Sequence, residues 1–319
     1  HPESGAAMNA RLRLRHRERG IALMMVLGLV VFLSIIALSF SESQRLATQI
    51  TQNALASARA QQAADGGIHK MLYEINKPRV ADGTTTEDLR WKANGMPYEW
   101  AENGVQVTVL GRSEAAKIDL NFAAEPLLKN LFVSAGVEDG EADSIVSAIR
   151  DWTDADNLKR PNGAEADEYR AAGKKVLPSN DFFVAVEELQ NVMGVTPKLY
   201  LAVAPYLTVH SRSAGIDPNT APLEMFAKVP NLDMSVVAEW VALRDQALRE
   251  NLPIPPMTFS SPFLATGTGT IRISAEAQTA DGIRASRDAV VRIGTQPGAV
   301  PQFFLWKKIT PTASAGESR

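Results

Sequence analysis

Arg17-Glu18-Arg19-Gly20-Ile21-Ala22-Leu23-Met24-Met25 is the stretch from which the rest of the chain is read. An arginine-studded leader ends in one glycine, and an uncharged apolar run from Ile21 to Phe40 comes next, broken only by Gly28, Ser34 and Ser39. A hydrocarbon core about 30 Å thick is crossed by roughly 20 apolar residues in a helix. Ser and Gly are tolerated there because the backbone hydrogen bonds stay inside the helix. Arg11, Arg13, Arg15, Arg17 and Arg19 all lie on the N-terminal side, which marks that side as cytoplasmic and the bulk of the chain as translocated. A secretory signal is cut at small residues after its apolar region. Here the small residue suited to a cut, Gly20, comes before it. Residues 1–20 therefore read as a leader removed ahead of Ile21, and residues 21–40 as a transmembrane helix. A plain, uncut signal anchor is the simpler alternative. Met8 is the expected natural start, with residues 1–7 extraneous to it.

Beyond the apolar run, Ser41 to Lys77 keeps helix formers and few breakers. Leu46, Ile50, Ala54 and Ala58 recur at helical spacing, with Leu55 beside them, so one apolar face is expected to pack on a sheet. Ile68, Leu72 and Ile75 extend the pattern until Lys77-Pro78 ends it, because proline disfavours helix in the residue before it. Val105 to Leu110 reads as the first strand of that sheet. Thr270 to Ala277 and Arg284 to Ile293, joined by the turn Ala280-Asp281-Gly282, read as a hairpin. Between them the pattern is helical over 124–134, 141–152, 183–192, 197–203, 223–227 and 235–249. The expected fold class is α+β: a long N-terminal helix, first transmembrane and then amphipathic, packed on a small antiparallel sheet, with a large mainly α-helical domain inserted between strands. The core is expected at 41–112 and 258–309, the insert at 113–257, and a disordered tail at 310–319. Lys117-Ile118-Asp119-Leu120-Asn121-Phe122-Ala123 resembles Gly215-Ile216-Asp217-Pro218-Asn219-Thr220-Ala221. The insert therefore carries a weak internal repeat.

With 319 residues, a net charge of −3 that includes the leader arginines, and no cysteine, the exported part is acidic. Disulfides, thiol catalysis and thiolate metal sites are excluded, and an acidic body is a poor surface for phosphates. The densest chemistry is Asp151-Trp152-Thr153-Asp154-Ala155-Asp156-Asn157, followed by Gly163-Ala164-Glu165, Asp167 and Glu168. Carboxylates at alternating loop positions suit a hard cation such as calcium, which takes 6–8 oxygen ligands and accepts irregular loops. Asp154 and Asp156 can point to one side of an extended turn, and Glu165 can return after Pro161-Asn162-Gly163. The order is not that of an EF-hand. On spacing alone a solvated acidic loop is the better reading; the mutual repulsion of carboxylates packed together without a cation favours the ion.

No Gly-rich phosphate loop, nucleophile elbow or His metal motif occurs, and His69 and His210 read as structural or surface residues. The chain is not expected to be an enzyme or to take a small-molecule substrate. The repeats and the Val192-Met193-Gly194-Val195 turn could also be helix–hairpin–helix elements that aim backbone N–H groups at phosphates. That reading would make the chain a membrane-anchored DNA-binding or uptake protein. Yet Gly136-Val137 is followed by Glu138, Asp139, Glu141 and Asp143, so nucleic acid is not an expected partner.

Taken together, Arg19-Gly20-Ile21-Ala22-Leu23, Asp151-Trp152-Thr153-Asp154-Ala155-Asp156 with Asn162-Gly163-Ala164-Glu165, Val186-Glu187-Glu188-Leu189, and Pro205-Tyr206-Leu207-Thr208-Val209 before Asp217-Pro218-Asn219-Thr220-Ala221 resemble the general secretion pathway protein K family. These are minor pseudopilins of the bacterial type II secretion system. The resemblance implies a pilin-like core and a prepilin-type leader. It implies that prepilin peptidase cuts between Gly20 and Ile21 and methylates the new amine. Most pilin-like proteins carry Glu at the fifth mature position; here it is Met25, which the resemblance ties to the tip of the pseudopilus. It further implies assembly with the minor pseudopilins I and J, and H, on an inner-membrane anchor with the bulk in the periplasm. It also implies structural calcium on Asp154, Asp156 and Glu165, with Asp151 and Glu168 as second choices.

Overall fold

A computed structural model describes residues 6–77, 90–294 and 299–309. In chain order α1 (Ala6–Asn76) leads to β1 (Asn94–Glu102) and β2 (Val105–Ser113). A two-residue strand β3 (Ile118–Asp119) opens the helical part, which continues through α2 (Glu125–Ser134), α3 (Asp139–Thr153), α4 (Ala166–Ala171) and α5 (Pro197–Val203). After the two-residue strand β4 (Leu207–Thr208) come α6 (Leu223–Phe226) and α7 (Met234–Arg249). Then β5 (Thr270–Thr279), β6 (Arg284–Arg292) and β7 (Gln302–Ile309) return to the sheet. The expected tail from Thr310 lies outside the described residues.

The chain divides into two compact units between Ala58 and Arg59. In the first, every large apolar side chain from Leu23 to Phe40 that the helix carries is about half or more exposed, among them Met25 at 71% and Leu38 at 66%. This segment is long and apolar enough to cross a membrane. Its serines are internally satisfied: Ser34 Oγ donates to the Val30 carbonyl at 2.8 Å and Ser39 Oγ to that of Ile35 at 3.0 Å, so neither hydroxyl needs water. Of the stripe expected to pack on the sheet, its later part, Ile68, Leu72 and Ile75, does so, and its earlier part does not. Leu46, Ile50, Ala54, Leu55 and Ala58 are exposed. The packed face is Ala64, Ile68, Met71 and Leu72.

In the second unit the sheet order is β1-β2-β5-β6-β7, antiparallel throughout. Val105, Val107 and Val109 on β2, Ile271, Ile273, Ala275 and Ala277 on β5, and Ala289 and Val291 on β6 face the helix. Their alternation is the period-two pattern of a half-buried strand. Gly67 allows the close approach, since a Cβ there would fall 2.8 Å from Val109 Cγ2. Helix α1 ends where Lys77-Pro78 requires, and the β5–β6 hairpin turns at Gly282 with φ +82°.

Two strands of the five-stranded sheet were not expected, nor was the short β3–β4 pair. β1 precedes the strand read as first. Its Gly95 and Pro97 disguise it, and both are admissible because β1 is an edge strand. Asn103 (φ 52°) and Gly104 (φ +76°) make the two-residue turn into β2, which is the Asn-Gly hairpin signal. β7 is the other edge. The helix expected over 183–192 is a short 3-10 turn, Val186–Asn191.

The helical part has its own core, in which Trp152, Tyr169, Phe132 and Phe226 are fully buried. Its two repeat loops fold alike. The Asp119 carbonyl accepts from Ala123 N at 2.8 Å, and the Asp217 carbonyl from Ala221 N at 2.9 Å. Asp119 Oδ1 accepts from Asn121 N at 2.9 Å, and Asp217 Oδ1 from Asn219 N at 3.1 Å. An arginine from the second helix of each repeat ties the loop carbonyls. Arg150 reaches those of Asn121 and Ala123. Arg244 reaches those of Pro218 at 2.6 Å and Ala221 at 2.7 Å.

Candidate cation centre

Helix α3 buries Ala142, Ile145, Val146, Ile149 and Trp152 along one face, at the spacing of a 3.6-residue repeat. It stops after Thr153, whose hydroxyl turns back to the Ile149 and Arg150 carbonyls at 3.2 and 3.1 Å. Asp154 is extended. Trp152 anchors this end, stacked on Phe183 with centroids 5.8 Å apart and planes 5° apart. The loop then crosses Asn162, held at φ 65°, and Gly163, where a Cβ would collide with the Asp151 carboxylate. It reaches Glu165 at the N-cap of α4.

Asp154, Asp156 and Glu165 each bring a carboxylate oxygen within 4.8 Å of the others. Glu165 is buried, and neither of its oxygens meets a donor at bonding geometry; Asp154 Oδ1 is likewise buried and unmatched. Buried carboxylate oxygens without donors are costly. Burial pushes the Glu165 carboxyl above its ordinary pKa, and Asp151, Asp154 and Asp156 add to it. Burial and then Asp156 raise Asp154. Three converging carboxylates, two of them with buried oxygens that meet no donor and the third, Asp156, accepting from Leu158 N at 2.8 Å, form a donor set that a hard divalent cation suits.

Two further carboxylates expected as second choices are otherwise engaged. Asp151, fully buried, accepts from Arg160 N at 3.3 Å and so folds the loop over itself. Glu168 accepts from Glu165 N at 3.0 Å and pairs with Lys159 at 2.8 Å. The segment 179–183 closes the other side: Asn180 Nδ2 donates to the Asp156 carbonyl at 3.1 Å, and Asn121 exchanges hydrogen bonds with Phe183 N and O at 2.8 and 3.0 Å. Those latches were not read from the sequence. The only hint was the asparagine shared by the two repeats.

The remaining expectations also find places. Gly20 and Ile21 lie within α1. The turn at Gly136 (φ +93°) opens onto acid: Lys129 is held by Asp139 and Asp143, each at 2.8 Å. A Cβ at Gly194 would sit 2.8 Å from Ile145 Cγ1, so packing accounts for that glycine. His210 stacks on Phe304 at 5.5 Å, and His69 lies 5.4 Å from the Trp306 ring. The turn at Gly136 thus faces acid, a poor surface for phosphate.

Residues 111–212 match the family model described as type II secretion system protein K. The type II secretion system protein K of Pectobacterium carotovorum subsp. carotovorum is 29% identical over 234 residues, covering 66% of this chain and 70% of that one. That of Klebsiella pneumoniae is 25% identical over 206 residues, covering 61% and 63%, so the match spans less than two thirds of the latter relative. A chain in the crystal structure of the GspK-GspI-GspJ complex from enterotoxigenic Escherichia coli superposes with a TM-score of 0.55 at 14% identity, covering 84% of this chain and 100% of that one. At that identity the likeness is one of fold.

Proposed function

The chain belongs to the protein K family of the type II secretion system, and we propose that it is the minor pseudopilin at the tip of that system's pseudopilus. There it nucleates and caps assembly for export of folded proteins across the outer membrane. Prepilin peptidase cuts between Gly20 and Ile21 and methylates the new amine. The helix from Ile21 first anchors the chain in the inner membrane, with the bulk in the periplasm. The tip complex is formed with minor pseudopilins I and J, and H joins beneath it.

Met25 carries the tip assignment. It stands five residues after Gly20, where most pilin-like proteins carry a glutamate. A carboxylate in an apolar helix bundle needs a cationic partner, and the amine of a neighbouring subunit supplies one. Met25 makes no such demand, so no subunit is required above it. The bare faces of α1 support helix docking below: Leu46, Ile50 and Leu55 are 51 to 60% exposed, and an unpartnered apolar stripe of this kind marks an interaction surface. The test is capture of the full-length chain, extracted in detergent after co-expression with I and J. Stoichiometric recovery of both, with mature mass beginning at Ile21, is the expected result. Finding the chain distributed along the whole shaft, or still bearing its leader, would refute the assignment.

Within the insert, Asp154, Asp156 and Glu165 hold a structural calcium ion, with Asp151 and Glu168 as supporting carboxylates. When bound, the ion supplies the positive charge that the three converging carboxylates lack. The chain's own residues do the rest. Asp151 folds the loop, Trp152 and Phe183 keep its base dry, and Asn180 ties the neighbouring segment to it. The unmatched oxygens of Glu165 support this reading. Calorimetric titration of the full chain with calcium, repeated on Glu165→Gln, tests it. Equal binding by both proteins would remove these residues from the site.

A further inference from the structure

The sheet and the helical insert have separate apolar cores. One cluster runs from Ala116 to Val241 and the other draws on α1, β2, β5 and β6; their buried residues do not overlap. Yet both belong to one compact unit. Two apolar cores joined by two chain crossings would ordinarily make a mobile pair. Between these two, besides the stacking of His210 on Phe304, runs a set of largely buried polar contacts.

We infer that a polar seam centred on the ion-pair triad Glu114–Arg272–Asp288 locks the sheet and the insert into one rigid body. The inference does not depend on the family or on the tip reading. Glu114 follows β2 directly and is 1% exposed. It accepts from Arg272 Nε at 3.1 Å and Nη2 at 2.9 Å. It also accepts from the Thr208 hydroxyl of β4, inside the insert, at 2.6 Å. Arg272 on β5 reaches Asp288 on β6 at 2.6 Å, and Asp288 accepts from Ser274 Oγ at 2.9 Å. One connected network therefore runs from the middle of the sheet, through the first crossing, into the insert.

A second set of contacts ties the return crossing. Asp217 N donates to the Ala115 carbonyl at 2.8 Å, Ile216 N to that of Phe263 at 2.9 Å, and Ala265 N to that of Ile216 at 2.9 Å. Thr268 Oγ1 donates to the Ser211 carbonyl. Gly267 lies so close that a Cβ would sit 2.8 Å from Asp217 Oδ2 and 2.9 Å from Ser113 Oγ. Both crossings thus converge on the second repeat loop.

The chemistry of the seam decides its mechanics. An apolar interface can slide with little loss, because dispersion and burial are not directional. An arginine shared by two buried carboxylates has few satisfied arrangements, and a small displacement leaves a buried charge without its partner. Such a network selects one orientation more than it adds stability. Arg272 is in this sense a positioning residue for the whole insert.

The chain has no cysteine, so paired spin labels can be placed without background. Full-length protein in detergent micelles would carry Glu141→Cys on α3 and Asp281→Cys at the β5–β6 turn, both at exposed positions. Pulsed electron–electron double resonance should give one narrow distance. Arg272→Met should at least double the width of that distribution. Thr208→Val, which deletes only the insert's hydroxyl on Glu114, should broaden it by a smaller factor with the fold intact. A broad distribution in the parent overturns the inference. So does a Thr208→Val distribution as narrow as the parent's, whether or not Arg272→Met folds. A loss of thermal stability without broadening would leave Arg272 in an ordinary ion pair and equally overturn it.

Discussion

The two repeats of the insert share a frame and differ in the segment beyond it. Each has an aspartate that gathers backbone N–H groups and an arginine that gathers loop carbonyls. After Arg150 the helix ends within three residues at Thr153, and the acidic loop begins. After Arg244 the helix runs on to Arg249, and the adjacent Asp245 pairs with Arg244 itself at 2.7 Å. In the first repeat Asp154, Asp156 and Glu165 form no ion pair among the described residues, although their neighbours Asp151, Asp167 and Glu168 do; in the second the nearest carboxylate, Asp245, is already neutralised. The convergence of carboxylates therefore follows from an early helix stop that releases several of them together, in addition to an acidic sequence.

Loss of the arginine clamps should show the largest effects. Arg244→Met leaves two loop carbonyls bare beneath a side chain that is 5% exposed, and should cost about 3 kcal/mol in urea unfolding. Arg150→Met, whose side chain is 13% exposed, should cost about 2 kcal/mol. The reverse order would break the equivalence of the two frames. Next, calcium at a hundredfold excess over its Kd should stabilise the parent by about 2.7 kcal/mol. Asp154→Asn with Glu165→Gln should lose that gain, while Asp245→Asn in the second repeat keeps it. Thermal melts with and without chelator measure both.

Smaller, and sharper in sign, are the pH effects. Burial raises the carboxyls of Asp119 and Asp217 above 3.8, and the backbone N–H bonds they accept offset only part of that rise. In the window above the ordinary value the native state holds their protons more tightly than the unfolded chain. Their contribution therefore grows as pH falls through that window. Glu114 behaves oppositely. Burial pushes it up, but hydrogen bonds and charge from Arg272, with the Thr208 hydroxyl and Lys117, outweigh burial and hold it below 4.5. The stability it contributes is present above that value and is lost as pH falls through the folded pKa. Asp119→Asn and Asp217→Asn should therefore steepen the acid loss of stability alike, and Glu114→Gln should flatten it. Divergence between the two aspartate variants would mean that the repeats are only superficially similar.

Much of this was legible in local pattern. Pro78 marks the end of α1, the alternation in Thr270–Ala277 gives β5, and Asp154, Asp156 and Glu165 converge as their loop spacing suggests. Edge strands were less legible, because one side of their backbone is unpaired and admits residues such as Gly95 and Pro97. The Asn103-Gly104 turn was the surviving signal for β1. β7, with Phe303, Phe304, Leu305 and Trp306 in succession, shows no alternation to read. The apolar stripe from Leu46 to Ala58 has sound helical period, but period alone does not say which partner it meets. The seam was out of reach, since Glu114 and Arg272 lie 158 residues apart and a charged residue gives no sequence sign of burial.

Gly67 has a mechanical consequence. A valine methyl of β2 occupies the space that a larger side chain would fill. The neighbouring positions Ala64, Ile68 and Met71 are themselves fully enclosed. An axial tug on this part of α1 would have to drive bulkier groups across that notch. The helix is keyed to the strand by shape, much as a detent holds a shaft, and slippage by one turn is blocked by steric bulk even where no hydrogen bond resists it.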